Sequence, residues 1–210
     1  MPWSRGTFDS AGFRTDLGLL TPQGEEGATV MAKISIPYGS IEGQTAKIAD
    51  YIADVIRHQG HEAEPVDIRH VRDGVSGWDG VIVGGSIHMG KHDKHVVEFA
   101  RNNRAILEEL PSAFFSVSLA AQGDTAEAQG YVRQFEQATG WHPARTALFG
   151  GALLYTQYGF VKRHLMKKIA GGKPGSLGTD TSRDYVYTDW DGVRRFTEAF
   201  LVDLTASARP

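Results

Sequence analysis

The segment "IPYGSIEGQTAKIADYI", Ile36 to Ile52, carries a polar, glycine-bearing loop that runs directly into an amphipathic helix. The residues before it, "VMAKISIPY" (Val30–Tyr38), read as a strand, so the loop is a strand-to-helix turn. In an open α/β sheet such turns lie at the carboxyl ends of the strands, where ligands bind. The backbone N–H groups and dipole of a helix N-terminus favour an anion there. Ser40 and Thr45 add hydroxyl donors, while Gly39 and Gly43 allow close backbone approach. Two common nucleotide loops do not fit. A Walker A loop requires G-x-x-x-x-G-K-[ST]. Here Gly39 and Gly43 are one residue too close, and Gln44 stands where the lysine belongs. The dinucleotide pattern G-x-G-x-x-G is also missing. A single monophosphate suits the loop better, since hydroxyls and backbone donors hold one phosphate without a cation. A capped βα turn with no ligand is the competing reading of this loop alone.

Outward from the loop, the pattern alternates strands and helices. Ile48, Ile52, Val55 and Ile56 fall at helical spacing from Thr45, with Gly60 as a stop signal. "AEPVDI" (Ala63–Ile68) and "GVIVGGSI" (Gly80–Ile87) read as strands, and Lys94–Leu110 as one helix closed by Pro111. "AFFSVSL" (Ala113–Leu119) is a fourth strand, Thr125–Thr139 a helix with Tyr131 and Phe135, and Arg145–Tyr155 a fifth strand. A basic helical stretch, "YGFVKRHLMKKIA", precedes the loop "GGKPGSLGTDTSRD". The last helix runs from Asp191 to about Ala206, framed by Thr188 and Asp191 as a near capping box. The expected fold is α/β: a doubly wound, five-stranded parallel sheet with helices on both faces. Residues 30–206 form one domain in this reading. Residues 1–29 are aperiodic and rich in Gly, Ser and Thr, as expected of a disordered tail or an upstream extension, with Met31 a natural initiator.

Composition narrows the partners. With 22 basic against 25 acidic residues the chain is nearly neutral, so no overall field favours nucleic acid. Cysteine is absent, which excludes disulfides, thiolate metal sites and cysteine nucleophiles. No metal is expected, and a reducing cytosol suits the chain. No apolar run reaches membrane-spanning length.

The second and third strand ends strengthen the ligand reading. "GGSIHMGKH" (Gly84–His92) and "SVSLAAQG" (Ser116–Gly123) are rich in Gly and Ser and follow buried strands. Three such loops at neighbouring strand ends can cradle a monophosphate tail and a planar ring together.

The stretch "YGSIEGQTAKIADYIA" resembles the FMN-phosphate loop of flavodoxins, with Ser40, Gly43 and Thr45 at motif positions. Glu42 departs from the usual small hydroxyl residue, but an acidic residue is usual in one subgroup, the menaquinone-dependent protoporphyrinogen IX dehydrogenases. The similarity to that subgroup continues through "VIVGGSIHMGKH", "LPSAFFSVSLAA", "ALFGGALLY", "GFVKRHLMKKIAGG" and "VYTDWDGV", from about Lys33 to Leu204. The resemblance implies noncovalent FMN. By it, the first loop would supply Ser40, Ile41, Glu42, Gly43, Gln44 and Thr45; the second Ser86, Ile87, His88, Met89 and Gly90; the third Ser118, Leu119 and Ala120. It further implies dehydrogenation of protoporphyrinogen IX to protoporphyrin IX in haem biosynthesis, with menaquinone or another quinone as acceptor. A flavodoxin-like electron carrier, or an FMN-dependent quinone reductase with another donor, is the alternative function. Carriers of the flavodoxin type tend to be strongly acidic, which this chain is not.

No side chain stands out as a nucleophile. His88 is the candidate proton shuttle, although a loop-packing or solvent-facing role is preferred for it. Between Tyr155 and Ile169, Lys162, Arg163, Lys167 and Lys168 alternate with Phe160, Val161, Leu165 and Met166. A solvated basic helix is the plain reading. The sharper ones set the cations against the substrate's propionates, or against anionic lipid on the cytoplasmic face of the inner membrane. Tyr155 and Tyr158 are candidates for the substrate side. Trp141 and Trp190 read as packing residues outside the site.

Overall fold

The computed structural model describes residues 31–71, 74–172 and 177–207. The expectation for residues 1–29 lies outside the described residues. The elements in chain order are β1 (Lys33–Gly39), α1 (Gln44–His58), β2 (Glu62–Asp67), β3 (Gly80–His88), β4 (Lys91–His92), α2 (Lys94–Asn102) and α3 (Arg104–Glu109). They continue with β5 (Ser112–Ser118), α4 (Thr125–Thr139), β6 (Arg145–Gly150), β7 (Ala152–Leu153), α5 (Phe160–Gly172), β8 (Tyr185–Val186) and α6 (Trp190–Ser207). Five parallel strands lie in the order β2-β1-β3-β5-β6, as the strand–helix alternation predicts, and β4 adds a short antiparallel partner to β3.

Strand alternation divides the core between the two faces. Ile34, Ile36, Ile82, Phe115 and Val117 face α1 and α6, meeting Ile48, Ile52, Ile56, Phe196 and Phe200. Val81, Val83 and Phe114 face the other way, towards Val96, Phe99, Leu107, Phe135 and Trp141. Each fully buried isoleucine of α1 contributes about 1.5–3 kcal/mol relative to exposure. Trp141 is therefore core, and Trp190 packs edge-on against Tyr51 with ring centroids 5.2 Å apart.

Three local expectations are corrected. The helix foreseen over Lys94–Leu110 is two helices, because Asn103 donates its side-chain N–H to the Phe99 carbonyl and adopts φ −104°. Asparagine competes with the helical ladder in this way. The fifth strand ends at Gly150 rather than Tyr155. Beyond it, Ala152–Leu153 pairs antiparallel with Tyr185–Val186 in a separate two-stranded sheet. There a third core forms from Leu153, Leu154, Tyr155, Tyr158, Ala170 and Leu177. Finally, Asp189 rather than Thr188 caps α6, its carboxylate accepting from Gly192 N–H at 3.0 Å.

Candidate functional site

β1 is flanked by β2 on one side and β3 on the other, so the chain turns opposite ways from this point and opens a crevice at the carboxyl ends. The loops after β1, β3 and β5 meet there. Gly43 enters α1 at φ +87°, a left-handed conformation that glycine adopts without steric cost. Ser40 Oγ accepts from Gly43 N–H at 3.0 Å, which closes the turn and leaves the serine proton free to donate. α1 has no side-chain cap, and no acidic residue sits in its first turn. Its leading N–H groups therefore have no helical acceptor and face the loop. By contrast α2 and α4 are capped by Asp93 and Asp124.

A cavity of ≈ 580 Å³ occupies the crevice, within the size range of small-molecule sites. Of the expected residues, Ser40, Ile41, Glu42, Gln44 and Thr45 line it from the first loop, with Ser86 to Gly90 from the second and Ser118, Leu119 and Ala120 from the third. Gly43 shapes the turn without lining the cavity. Ser86 Oγ donates to the Gly39 carbonyl at 3.3 Å, joining the first two loops. The second loop is the two-residue hairpin between β3 and β4. Met89 (φ +49°) and Gly90 (φ +79°) are both left-handed, the geometry of a type I′ turn. This turn holds the Met89 side chain 90% exposed on the cavity rim, beside the exposed His88.

Gln44 is buried and has one unsatisfied atom. Its Nε2 donates to Thr188 Oγ1 at 2.8 Å, and Thr188 donates onward to the Gly150 carbonyl at 2.8 Å. Because the Thr188 proton is committed, Gln44 must present its amide N–H₂ to Thr188. Its Oε1 is left with no partner among the described residues. A buried orphan acceptor in a cavity wall calls for a donor from a ligand.

α5 forms the opposite wall through Lys162, Leu165, Met166 and Ile169. The other cations do not reach the cavity. Arg163 is spent on the carbonyls of Tyr155 (2.9 Å) and Tyr158 (3.1 Å), while Lys167 and Lys168 are exposed. Tyr155, expected towards the substrate, is instead fully buried, its hydroxyl donating to the Gly178 carbonyl at 3.0 Å. The third core consumes it. Tyr158 donates to Glu42 Oε2 at 2.5 Å, and burial with that carboxylate raises its pKa.

Sequence reasoning missed Glu127 and Tyr131 on α4, which line the cavity beyond the third loop. The Tyr131 hydroxyl donates to Glu127, and burial followed by that contact pushes its pKa up to about 12. The i, i+4 spacing of an acid and a tyrosine was the available signal. Of Tyr131 and Phe135, which share the helix, Phe135 alone is core.

Fold and site define an α/β protein with an uncapped helix N-terminus, glycine-rich loops at the switch point and an apolar helical wall, suited to a phosphorylated planar ligand. The flavodoxin domain family matches residues 35–180. The chain is 33% identical to protoporphyrinogen IX dehydrogenase [quinone] of Escherichia coli (strain K12), over 78% of this chain and 92% of that protein. It is 32% identical to the protein of the same name from Leishmania major, over 87% and 81% respectively. Its fold matches rubredoxin oxygen:oxidoreductase of Desulfovibrio gigas with TM-score 0.54 at 14% identity, over 85% of this chain and 37% of that one. A short-chain flavodoxin associated with a bacterial microcompartment matches with TM-score 0.51 at 11% identity, over 83% and 99%. The chain belongs to the flavodoxin family, among the quinone-dependent protoporphyrinogen IX dehydrogenases.

Proposed function

We propose that this protein binds FMN in the cavity and dehydrogenates protoporphyrinogen IX to protoporphyrin IX, with a quinone as electron acceptor. The observation that carries the reading is the composition of the cavity lining. An anion-ready helix end and the orphan Gln44 Oε1 line the same cavity as the apolar face of α5 opposite them.

The residues present fit FMN. The α1 N-terminus with Ser40 and Thr45 takes the phosphate, Gln44 Oε1 accepts from a hydroxyl of the polyol chain, and the second and third loops border the ring. FMN, when bound, supplies the two-electron acceptor. The chain's residues do the rest. Leu165, Met166 and Ile169 give the tetrapyrrole an apolar wall and exclude water on that side. His88, exposed on the rim, fits the solvent-facing role preferred for it. Lys167 and Lys168, exposed on α5, face either the propionates or the medium.

Menaquinone is the acceptor in this reading, and the protein is cytoplasmic with peripheral contact on an anionic membrane. Phe160 and Val161, 77% and 80% exposed, begin α5 beside its lysines. No described helix is long and apolar enough to cross a membrane. Each basic side chain near an anionic surface contributes about 1 kcal/mol, so Lys167→Gln with Lys168→Gln lowers partitioning onto anionic vesicles roughly thirtyfold. Flavin content stays unchanged. Equal sedimentation of the protein with neutral and anionic vesicles removes the electrostatic attraction.

The deciding experiment mixes purified, flavin-loaded protein anaerobically with protoporphyrinogen IX and a menaquinone analogue. Porphyrin fluorescence should rise as quinone is consumed, and the released cofactor should run as FMN. Reduction of small quinones with porphyrinogen left untouched makes the protein a quinone reductase or carrier instead.

A further inference from the structure

Glu42 stands in the turn that presents α1's N-terminus to the cavity, where a second negative charge opposes a bound phosphate. The fold answers it from far along the chain. Lys162 Nζ lies 2.8 Å from Glu42 Oε1, and the Tyr158 hydroxyl donates to Oε2 at 2.5 Å. Lys162 Nζ also sits 4.4 Å from the Tyr158 ring centroid, close enough for a cation–π contact. Both carboxylate oxygens are thus engaged, one by Tyr158 just before α5 and the other by Lys162 in its first turn. Lys162 lines the same cavity as Ser40, Gln44 and Thr45, and an ammonium has three donors, which one carboxylate oxygen does not exhaust.

We propose that Lys162 is the positioning residue that makes this site selective for the phosphorylated flavin, by offsetting Glu42 beside the cofactor phosphate. This rests on the FMN reading above. Without Lys162, the Glu42 carboxylate faces the phosphate uncompensated. Without both, the local charge is again balanced. The pair therefore ties the helix that walls the substrate side to the loop that holds the cofactor tail, across more than a hundred residues of sequence.

The test titrates FMN and riboflavin separately into flavin-free protein, following quenching of flavin fluorescence. Lys162→Met should weaken FMN about tenfold or more, as expected when a charge partner is lost. Riboflavin, which has no phosphate, should stay within about threefold, because its ring and polyol contacts are untouched. Glu42→Gln, which keeps an acceptor for Lys162 and Tyr158, should bind FMN at least as tightly as the unaltered protein. The double variant Glu42→Gln with Lys162→Met should return FMN affinity to within about threefold of the unaltered protein. Thermal midpoints of the flavin-free proteins should stay close together, since the pair is only half-buried. Equal loss of FMN and riboflavin in Lys162→Met makes the lysine a structural brace and overturns the proposal. So does unchanged FMN affinity. If the unaltered protein binds riboflavin but not FMN, or neither, the proposal and the FMN reading fall together.

Discussion

Gly150→Ala should destabilise the protein by about 2–3 kcal/mol, at the upper end for an added methyl, because no side-chain rotation relieves it. A Cβ at Gly150 falls on the Tyr187 carbonyl, which is backbone and cannot swing aside. The close approach is required because Gly150 ends β6 where the chain leaves the main sheet for β7. Tyr187 N–H reaches back to the Gly151 carbonyl at 3.0 Å. The same residue ends the chain of bonds that orients Gln44: Gly150 C=O accepts from Thr188, and Thr188 accepts from Gln44. Forcing the two backbones apart therefore also turns the Gln44 amide in the cavity wall. Urea unfolding should show a lower midpoint at unchanged slope, and flavin titration a weaker Kd. A variant within roughly 0.5 kcal/mol of the parent would mean that the crossing backbones have slack and that the contact is not decisive.

Acidification should remove about 2 kcal/mol of stability between pH 7 and pH 5 through His92 alone, following the linkage between pKa and folding. His92 on β4 packs at a steep angle against the stacked Phe114–Phe135 pair, 5.3 Å from each ring centroid, with Nε2 2.9 Å from Ser116 Oγ. Burial in this apolar slot lowers its pKa from 6.5 to about 4. The unfolded chain therefore binds the proton first. Stability is complete above about pH 6.5, falls as pH drops from there towards 4, and changes no further through this group below that. His92→Gln, which can still bond Ser116, should flatten this part of the profile. Unfolding free energies at pH 7 and pH 5 decide the matter. An equal decline in parent and variant would place the acid sensitivity elsewhere.

These two residues differ in how far sequence could foresee their roles. His92 falls within a glycine-rich stretch that reads as a ligand loop, but it is β4's pairing with β3 that turns its ring inward rather than towards the cavity. Gly150 reads as a strand residue in "ALFGGALLY", where apolar residues on both sides mask the Gly150–Gly151 pair, the one internal sign that the strand ends midway. Only the arrival of Tyr187 and Thr188 ends it there.

Short-range physics was enough for much of the rest. Periods of two and 3.6 identify the five parallel strands and their helices, because burial on a sheet face or helix stripe repeats locally. Gly43 with Ser40 marks the tight turn into α1, because its requirements are met within a few residues. The loops after β1, β3 and β5 are legible as a cavity rim for the same reason: glycine and serine at the ends of buried strands leave open space beside the backbone. What the sequence left open lies where partners are distant. Tyr155 reads like Tyr158, and both are buried in the core made with Leu177, yet one hydroxyl donates to the Gly178 carbonyl and the other reaches Glu42 on the cavity. Arg163 reads like Lys162, yet a quarter-turn of α5 sends it to backbone carbonyls and leaves Lys162 on the cavity. Local pattern determines which elements form, since it is enforced by neighbours in the chain. Which of two similar side chains meets the site is decided by the packing of α5 and β7 against the sheet, through contacts that exist only after the chain has closed on itself.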